Sequence, residues 1–124
     1  MTTQQVADRY YEMAQQGELE KIQDELYALD AVSVEPANAS QLPLWVKGLD
    51  AMRQKEYRFY QQMVEEMHGG FCNPPVVSTF HFACAMGMDV TLKGEARRVK
   101  EQIGVFEVRD GKIVSEHFFY DDFK

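Results

Sequence analysis

The stretch QIGVFEVRDGKIVSEHFFY, residues 102–120, consists of two apolar-rich runs separated by Asp110-Gly111. Asp-Gly between two such runs is among the strongest short-range signals for a β-hairpin, because both residues tolerate the positive φ angles of a two-residue turn. The stretch therefore predicts two long antiparallel strands that end in a polar and aromatic cluster, EHFFYD at 116–121.

The length of this turn decides which side chains of the last strand face the interior. A two-residue turn predicts one face that carries Gly104, Phe106, Ser115, His117, Phe119 and Asp121. A three-residue loop with a bulge at Gly111 instead places Val114, Glu116, Phe118 and Tyr120 beside Phe106. We favour the first arrangement, because Gly104 opposite His117 leaves room for the imidazole ring.

Helical periodicity precedes the strands. Apolar residues at Val6, Tyr10 and Met13 predict a first helix that Thr2 or Thr3 caps and Gly17 ends. A short second helix is predicted over residues 18–26, and a third helix opens at Gly48 and Asp50. The apolar stripe of that third helix is Leu49, Met52, Phe59, Met63 and Met67. Strands are predicted at 31–35 and 68–72, and an alternating strand starts near Val76. Helices followed by an antiparallel meander indicate one α+β domain over residues 1–124, with helices on one face of a curved sheet.

Composition and charge limit the possible binding partners and the cellular compartment of the protein. The chain has 124 residues and a net charge of −7, which disfavours nucleic acid and anionic membranes. It contains no apolar run long enough to span a membrane and no signal peptide pattern. Cys72 and Cys84 lack the spacing of a metal or redox motif, so free thiols in the cytoplasm are expected.

Cofactor motifs are absent from the sequence. There is no glycine-rich phosphate loop and no nucleophile elbow, so we expect no cofactor. His68, His81 and His117 are too widely spaced to match a local metal-ligand motif, so we expect no metal either.

The order of elements resembles the cone-shaped fold shared by nuclear transport factor 2, the steroid Δ5-isomerases and the SnoaL-like polyketide cyclases. The resemblance is carried by RYYEMAQQGELEKI at 9–22, LYALDAVSVEP at 26–36, KGLDAM at 47–52 and VFEVRDGKIVSEHFFYD at 105–121. It implies a deep, largely apolar cavity between the helices and the concave face of the sheet. The residues expected to contact a ligand there are Phe82, Met86, Phe106, Phe119 and Asp121. Trp45 is expected either to cover the mouth of the cavity or to fill a subunit contact.

The resemblance also assigns chemical roles. Tyr10 falls at the position of the tyrosine that donates a hydrogen bond to the substrate oxygen in the isomerases. Glu35, directly before Pro36, takes the position of the carboxylate base. The protonated aspartic acid of those enzymes is replaced by Gly104 or Ile103, neither of which can donate a hydrogen bond, so the usual steroid isomerase activity is not expected. His117 is a further acid–base candidate, because imidazole titrates near neutral pH.

Two functions are consistent with these residues. The first is a cofactor-free isomerase, cyclase or dehydratase that acts on a small apolar molecule, with Glu35 and His117 as acid–base groups and Tyr10 as the hydrogen-bond donor. The second is a non-catalytic ligand-binding or dimerisation module. In both cases we expect a homodimer formed through the sheet, because the outer sheet face carries apolar residues such as Ile103 or Val105.

Overall fold

Three helices occupy the first half of the chain. The computed structural model describes residues 1–39 and 42–121, and in it α1 spans Thr3–Ala14, α2 spans Leu19–Leu26 and α3 spans Leu49–Gln62. Thr2 caps α1 as predicted. Its side chain accepts a hydrogen bond from the Gln5 backbone N–H (3.1 Å), and its own N–H donates to Gln5 Oε1 (2.8 Å). After α1 the chain reverses at Gly17, whose φ of +69° suits a residue without a side chain.

The third helix is shorter than its apolar stripe predicts. It ends at Gln62, and Val64 starts a strand in which Met67 pairs with Val90. The predicted helical position of Met67 is therefore wrong. Pairing with a neighbouring strand satisfies the backbone of this segment, and such tertiary contacts override a helical pattern in the sequence.

In the part of the chain that the structure describes, seven strands form one sheet. They are β1 (Tyr27–Val34), β2 (Trp45–Lys47), β3 (Val64–Cys72), β4 (Val76–Val77), β5 (His81–Leu92), β6 (Arg98–Arg109) and β7 (Lys112–Phe119). The strand order is β2-β1-β7-β6-β5-β3, and β4 pairs with β5. The α+β class with three helices on a curved sheet is confirmed. The sheet is mixed rather than wholly antiparallel, because β1 runs parallel to β7.

The hairpin between β6 and β7 has the predicted two-residue turn but not the predicted register. Asp110 and Gly111 have φ angles of 51° and 74°, and Arg109 pairs with Lys112. A bulge follows immediately, because Val108 pairs with Ile113 whereas Glu107 pairs with Ser115, which leaves Val114 as the extra residue. From Ser115 onward, each side chain of β7 therefore lies on the opposite face from the one that a two-residue turn without a bulge predicts.

The bulge corrects our preferred arrangement of the last strand. Phe106 lies opposite Glu116 and Gly104 lies opposite Phe118, whereas His117 is paired with Val105. The expectation that His117 and Phe119 share the face of Phe106 is therefore wrong, and Asp121 lies beyond the end of β7. The turn length alone did not determine the register, since the extra residue lies three positions beyond Gly111.

The helices cover the inner face of the sheet through two apolar clusters. In the larger one, the rings of Phe82 and Phe106 stack with centroids 4.7 Å apart, and Tyr10 packs 4.7 Å from Phe106. The smaller cluster is built on Phe59, Val90 and Leu92. Each fully buried large side chain stabilises the fold by roughly 1.5–3 kcal/mol. Packing is incomplete between the two clusters, and a cavity remains there.

Candidate functional site

The cavity is lined by residues from both apolar clusters and has a volume of about 210 Å³. Its apolar wall consists of Leu19, Leu42, Phe59, Met86, Met88 and Phe118, together with the ring of Tyr60. Its polar side chains are Tyr10, Glu35, Lys55, Glu56, Gln102, Glu116 and Tyr120. A small apolar cavity with a few convergent polar groups is the usual form of a small-molecule site.

Glu116 occupies the floor of this site because of the parallel pairing of β1 with β7. That pairing places Ser33 directly beside Glu116, and Ser33 Oγ donates to Glu116 Oε2 at 2.7 Å. The Tyr27 hydroxyl donates to the other carboxyl oxygen. Glu116 is only 5% exposed, and burial raises its pKa above the usual range, against the opposing effect of the hydrogen bonds from Ser33 and Tyr27.

Lys55 connects Ser33 to a second carboxyl group. Its Nζ donates to Ser33 Oγ at 2.6 Å and lies 3.1 Å from Glu35 Oε1. Tyr120 donates its hydroxyl hydrogen to Glu35 Oε2 at 2.9 Å. These bonds form a continuous chain in the order Tyr27, Glu116, Ser33, Lys55, Glu35 and Tyr120, which is buried except at the half-buried Tyr120. An ion pair of this kind persists in the interior because its charges are hydrogen-bonded on several sides.

Glu56 lines the same cavity, but fewer hydrogen bonds offset the burial of its carboxyl group. Its one hydrogen bond to a described residue comes from Gln23, whose Nε2 donates to Glu56 Oε1 at 2.8 Å. Burial, and secondly the charge of Glu116, raise the pKa of Glu56 to about 7. A carboxyl group with that pKa exchanges a proton readily at neutral pH, which is the property required of a general acid or base.

Tyr10 supplies a hydroxyl group on the opposite side of the site. It is 6% exposed and lines the cavity, yet its hydroxyl has no hydrogen-bond partner among residues 1–39 and 42–121. Burial raises the pKa of Tyr10 well above its usual value, so the hydroxyl keeps its proton. A hydroxyl that lines a cavity and has no partner in the described protein is available to donate a hydrogen bond to a ligand.

The structure brings together some of the predicted site residues. Tyr10, Glu35 and Met86 line the cavity. Phe82 and Phe106 lie behind them in the core. Gly104 is buried on the inner face, where an added Cβ would lie 3.0 Å from Phe106, whereas Ile103 is exposed. No acidic side chain therefore stands at this inner position of β6.

The remaining predicted residues lie away from the cavity. His117 is on the opposite face of β7 and stacks on Phe119, with ring centroids 4.4 Å apart. Phe119 is 48% exposed and Asp121 is also exposed. Trp45 lies on β2 at the edge of the sheet and is 60% exposed, so the described structure does not place it over the cavity mouth.

Sequence reasoning missed Gln23, Lys55 and Glu56, and it placed Glu116 at the interior only in the arrangement that we did not favour. A signal was present for the three missed residues, because each interrupts an apolar helical stripe. Lys55 and Glu56 lie three and four residues after Met52, and Gln23 lies four residues after Leu19. Polar residues at such positions are buried when their helix packs. Whether Glu116 faces the cavity depends on the register of β7, for which the sequence left two alternatives.

Two further properties bear on the site. Within the described part of the chain, no group of three or more His, Cys, Asp and Glu side chains is arranged to hold a metal ion. None of the helices in residues 1–39 and 42–121 is long and apolar enough to cross a membrane.

Comparison with known proteins assigns the family. The sequence profile of the SnoaL-like domain matches residues 1–120. The chain belongs to the SnoaL-like domain family. A Mesorhizobium loti protein whose crystal structure is described as that of a candidate SnoaL-like polyketide cyclase is 30% identical. It superposes with a TM-score of 0.86 over 97% of this chain and 100% of that one.

More distant structures share the fold of this SnoaL-like domain. A nuclear transport factor 2-like protein from Burkholderia pseudomallei is 18% identical, with a TM-score of 0.77 over 96% of this chain and 90% of that one. A protein with a cystatin-like fold from Xanthomonas campestris is 17% identical, with a TM-score of 0.77 over 97% of this chain and 91% of that one. None of the curated proteins compared with the sequence matches it.

Proposed function

We propose that this SnoaL-like domain is a cofactor-free enzyme that moves a proton next to a carbonyl group of a small, largely apolar molecule. The observation that carries the proposal is the combination of two groups in one apolar cavity. Glu56 is a carboxyl group with a pKa of about 7, and Tyr10 lines the cavity with a hydroxyl that has no hydrogen-bond partner among the described residues. A base and a hydrogen-bond donor for the developing oxyanion are what enolisation requires.

The reaction begins when the Glu56 carboxylate removes a proton from the carbon next to the carbonyl. The electrons of the broken C–H bond form the enolate, whose oxygen accepts a hydrogen bond from Tyr10. Return of the proton from Glu56 to another carbon of a conjugated enolate isomerises the substrate. Loss of a β-hydroxyl group as water, with that proton, dehydrates it. Attack of the enolate carbon on a second carbonyl, whose oxygen takes the proton, closes a ring.

Glu35 has a different role in this proposal from the base that the resemblance implies. Lys55 Nζ lies 3.1 Å from one carboxyl oxygen of Glu35, and Tyr120 donates a hydrogen bond to the other. Because both oxygens already contact protein groups, Glu35 is less available to a substrate than Glu56. We infer that Glu35 holds Lys55 in place, so that the ammonium group orders the floor of the cavity.

The size and charge of the cavity limit the substrate. A volume of about 210 Å³ is below the roughly 300–1,000 Å³ of typical ligand pockets, which favours a substrate with a small ring or a short chain. The polar lining includes three carboxyl groups and one ammonium group. A substrate that carries a carboxylate or phosphate would be repelled, so we infer an uncharged one. The relative from Mesorhizobium loti supports the cyclase variant of the reaction.

Proton exchange into a small ketone tests the proposal. Cyclopentanone is incubated with the protein in D₂O, and loss of the α-proton signal is followed by NMR. Glu56→Gln is expected to slow exchange by about 10²–10⁴-fold. Tyr10→Phe is expected to slow it by about 10²–10³-fold. Glu12→Gln, on the exposed side of α1, is the matched control and should leave the rate unchanged.

Two outcomes would reject this function. Exchange at the same rate in Glu56→Gln would show that another group removes the proton. Saturable binding of cyclopentanone without any exchange in the wild type would instead indicate a non-catalytic binding module, which the largely apolar lining also supports.

We also propose that two copies of the chain associate through the outer face of the sheet. Ile103 and Phe119 are paired there on neighbouring strands, are 43% and 48% exposed, and line a shallow groove with Phe71. Contiguous exposed apolar side chains favour association. Sedimentation at micromolar concentration should show a dimer that Phe119→Lys converts to a monomer. Tyr57→Lys on α3 is the control, because Tyr57 is exposed on the helical side. A monomeric wild type would reject the proposal.

A cytoplasmic location is our proposal for the compartment. Cys72 and Cys84 are both free thiols in the structure, which suits a reducing environment. Cell fractionation of the native protein tests it, and recovery outside the cytoplasm would reject it.

A further inference from the structure

Gln23 is a fully buried amide whose two ends are both hydrogen-bonded. It lies on α2, is 0% exposed and faces α3. Its Nε2 donates to Glu56 Oε1 at 2.8 Å, and its Oε1 accepts from Arg53 Nε at 3.0 Å. Arg53 in turn donates through Nη2 to Asp24 Oδ1 at 2.6 Å, so the chain of contacts runs from the surface to the cavity.

The contact with Arg53 determines which way the Gln23 amide points. A guanidinium group has only donors, so the amide oxygen has to face Arg53. The amide NH₂ is then left facing Glu56, to which it can only donate. A donated hydrogen bond is stronger to a carboxylate than to a neutral carboxylic acid. Arg53 therefore acts on Glu56 through the fixed orientation of Gln23.

We propose that Gln23, held by Arg53, is the positioning residue that fixes the carboxyl group of Glu56 in the cavity and favours its ionised form. The role of Gln23 in catalysis rests on the function proposed above, because it matters only if Glu56 is the base. A purely structural role for Gln23 explains its hydrogen bonds to Glu56 and Arg53 less well. An apolar residue on this buried stripe of α2 would pack without any hydrogen bonds to satisfy.

The other groups around Glu56 also influence its protonation. Burial is the largest influence and opposes ionisation, and Glu116 of β7 acts in the same direction. Gln23 opposes them, followed by Lys55 and then Arg53 of α3. The remaining titratable groups near Glu56 are Tyr10 of α1, Tyr27 of β1, Glu35 after β1, Tyr60 of α3 and Tyr120 after β7. Among these groups, Gln23 is the one that contacts the Glu56 carboxyl group by a hydrogen bond.

Titration of Glu56 tests the proposal without any substrate. The full chain is labelled with ¹³C in the glutamate carboxyl groups, and the Glu56 signal, assigned by its loss in Glu56→Gln, is followed against pH by NMR. Gln23→Met keeps the length of the side chain but removes the donor, so the midpoint should rise by about one pH unit. Arg53→Met should also raise it, because Gln23 loses its fixed orientation and the cation of Arg53, which favours ionised Glu56, is removed.

A matched control separates this effect from loss of any glutamine. Gln4 also donates to a carboxylate, Asp8 Oδ1 at 2.9 Å, but on the exposed side of α1. Gln4→Met should leave the Glu56 midpoint unchanged. The pH at which cyclopentanone exchange reaches half its maximum should rise in Gln23→Met by the same amount as the midpoint, which a merely structural residue would not cause.

The outcomes distinguish this proposal from the proposed function. A midpoint in Gln23→Met within about 0.2 pH unit of the wild type would overturn the positioning role. If Gln23→Met does not fold, an unchanged midpoint in Arg53→Met overturns it instead. A shifted midpoint without ketone exchange in the wild type would reject the enzymatic function and leave the control of Glu56 by Gln23 established.

Discussion

The two faces of β7 differ in chemistry although their residues alternate along one strand. On the inner face, Glu116 is 5% exposed and belongs to a chain of hydrogen bonds with Ser33 and Lys55. On the outer face, His117 stacks on the half-exposed ring of Phe119. Charges on the inner face are removed from water, so each depends on its neighbours, whereas solvent screens those on the outer face. The candidate chemistry of this protein therefore belongs to the inner face.

The largest expected difference between the faces is in activity. Glu56→Gln should lower the rate of cyclopentanone exchange by about 10²–10⁴-fold, because it removes the proton acceptor of the cavity. His117→Ala should leave the rate nearly unchanged, because its ring lies on the other side of the sheet. Both rates are measured by NMR in D₂O. A large loss in His117→Ala would show that the outer face takes part in the reaction.

The next largest difference is in the strength of ion pairs. Lys55→Met leaves Glu35 buried without its cation and Ser33 without a donor, so we expect the free energy of unfolding to fall by about 3–5 kcal/mol. Arg109→Met breaks an exposed pair with Glu107 and should change it by only about 0–1 kcal/mol. Urea unfolding measures both variants. Equal losses would mean that the Lys55 pair is not desolvated in solution.

The buried carboxyl group of Glu56 should also make the stability of the protein depend on pH. Its pKa is higher in the folded than in the unfolded protein, so the folded state binds this proton more tightly. The stabilising effect of the proton is complete below the unfolded pKa and is lost as the pH rises through about 7. Glu56→Gln, which stays uncharged, should therefore stabilise the protein by about 1–3 kcal/mol near pH 9 and hardly at all near pH 4. Thermal unfolding at both pH values measures this, and an equal effect at both would contradict the raised pKa.

The smallest difference concerns two glycines of the sheet. An added Cβ at Gly104 would lie 3.0 Å from Phe106 and 3.2 Å from Met86, whereas one at Gly69 has no atom within 4 Å. We expect Gly104→Ala to lower the free energy of unfolding by about 1 kcal/mol through overpacking. Gly69→Ala should stay within about 0.5 kcal/mol of the wild type. Chemical denaturation compares them, and an unaffected Gly104→Ala would show that the inner face repacks freely.

Much of the fold was predictable from local patterns. The Thr2 cap, the end of α1 near Gly17 and the Asp110-Gly111 turn follow from backbone preferences that depend on a few adjacent residues. The end of α3 was not predictable in this way. The apolar pattern continues to Met67, and only pairing with β5 makes that residue part of a strand.

The candidate site was less predictable than the fold. Tyr10 and Glu35 were identified through the resemblance to the family, and both line the cavity. The sequence favours His117 over Glu116 because Gly104 opposite His117 leaves room for the imidazole ring, but it does not reveal the extra residue at Val114. A single bulged residue exchanges the faces of a strand, since side chains alternate with a period of two.

The sequence by itself determined that three helices precede a final hairpin in an α+β fold, because the formation of these elements depends on contacts between residues that are near in the chain. The tertiary structure alone decided which charged groups meet. The parallel pairing of β1 with β7 joins Ser33 to Glu116, and the packing of α2 on α3 joins Gln23 to Glu56. Such groups are more than thirty residues apart. Burial changes their protonation only after the chain has folded, because desolvation is a property of the assembled cavity.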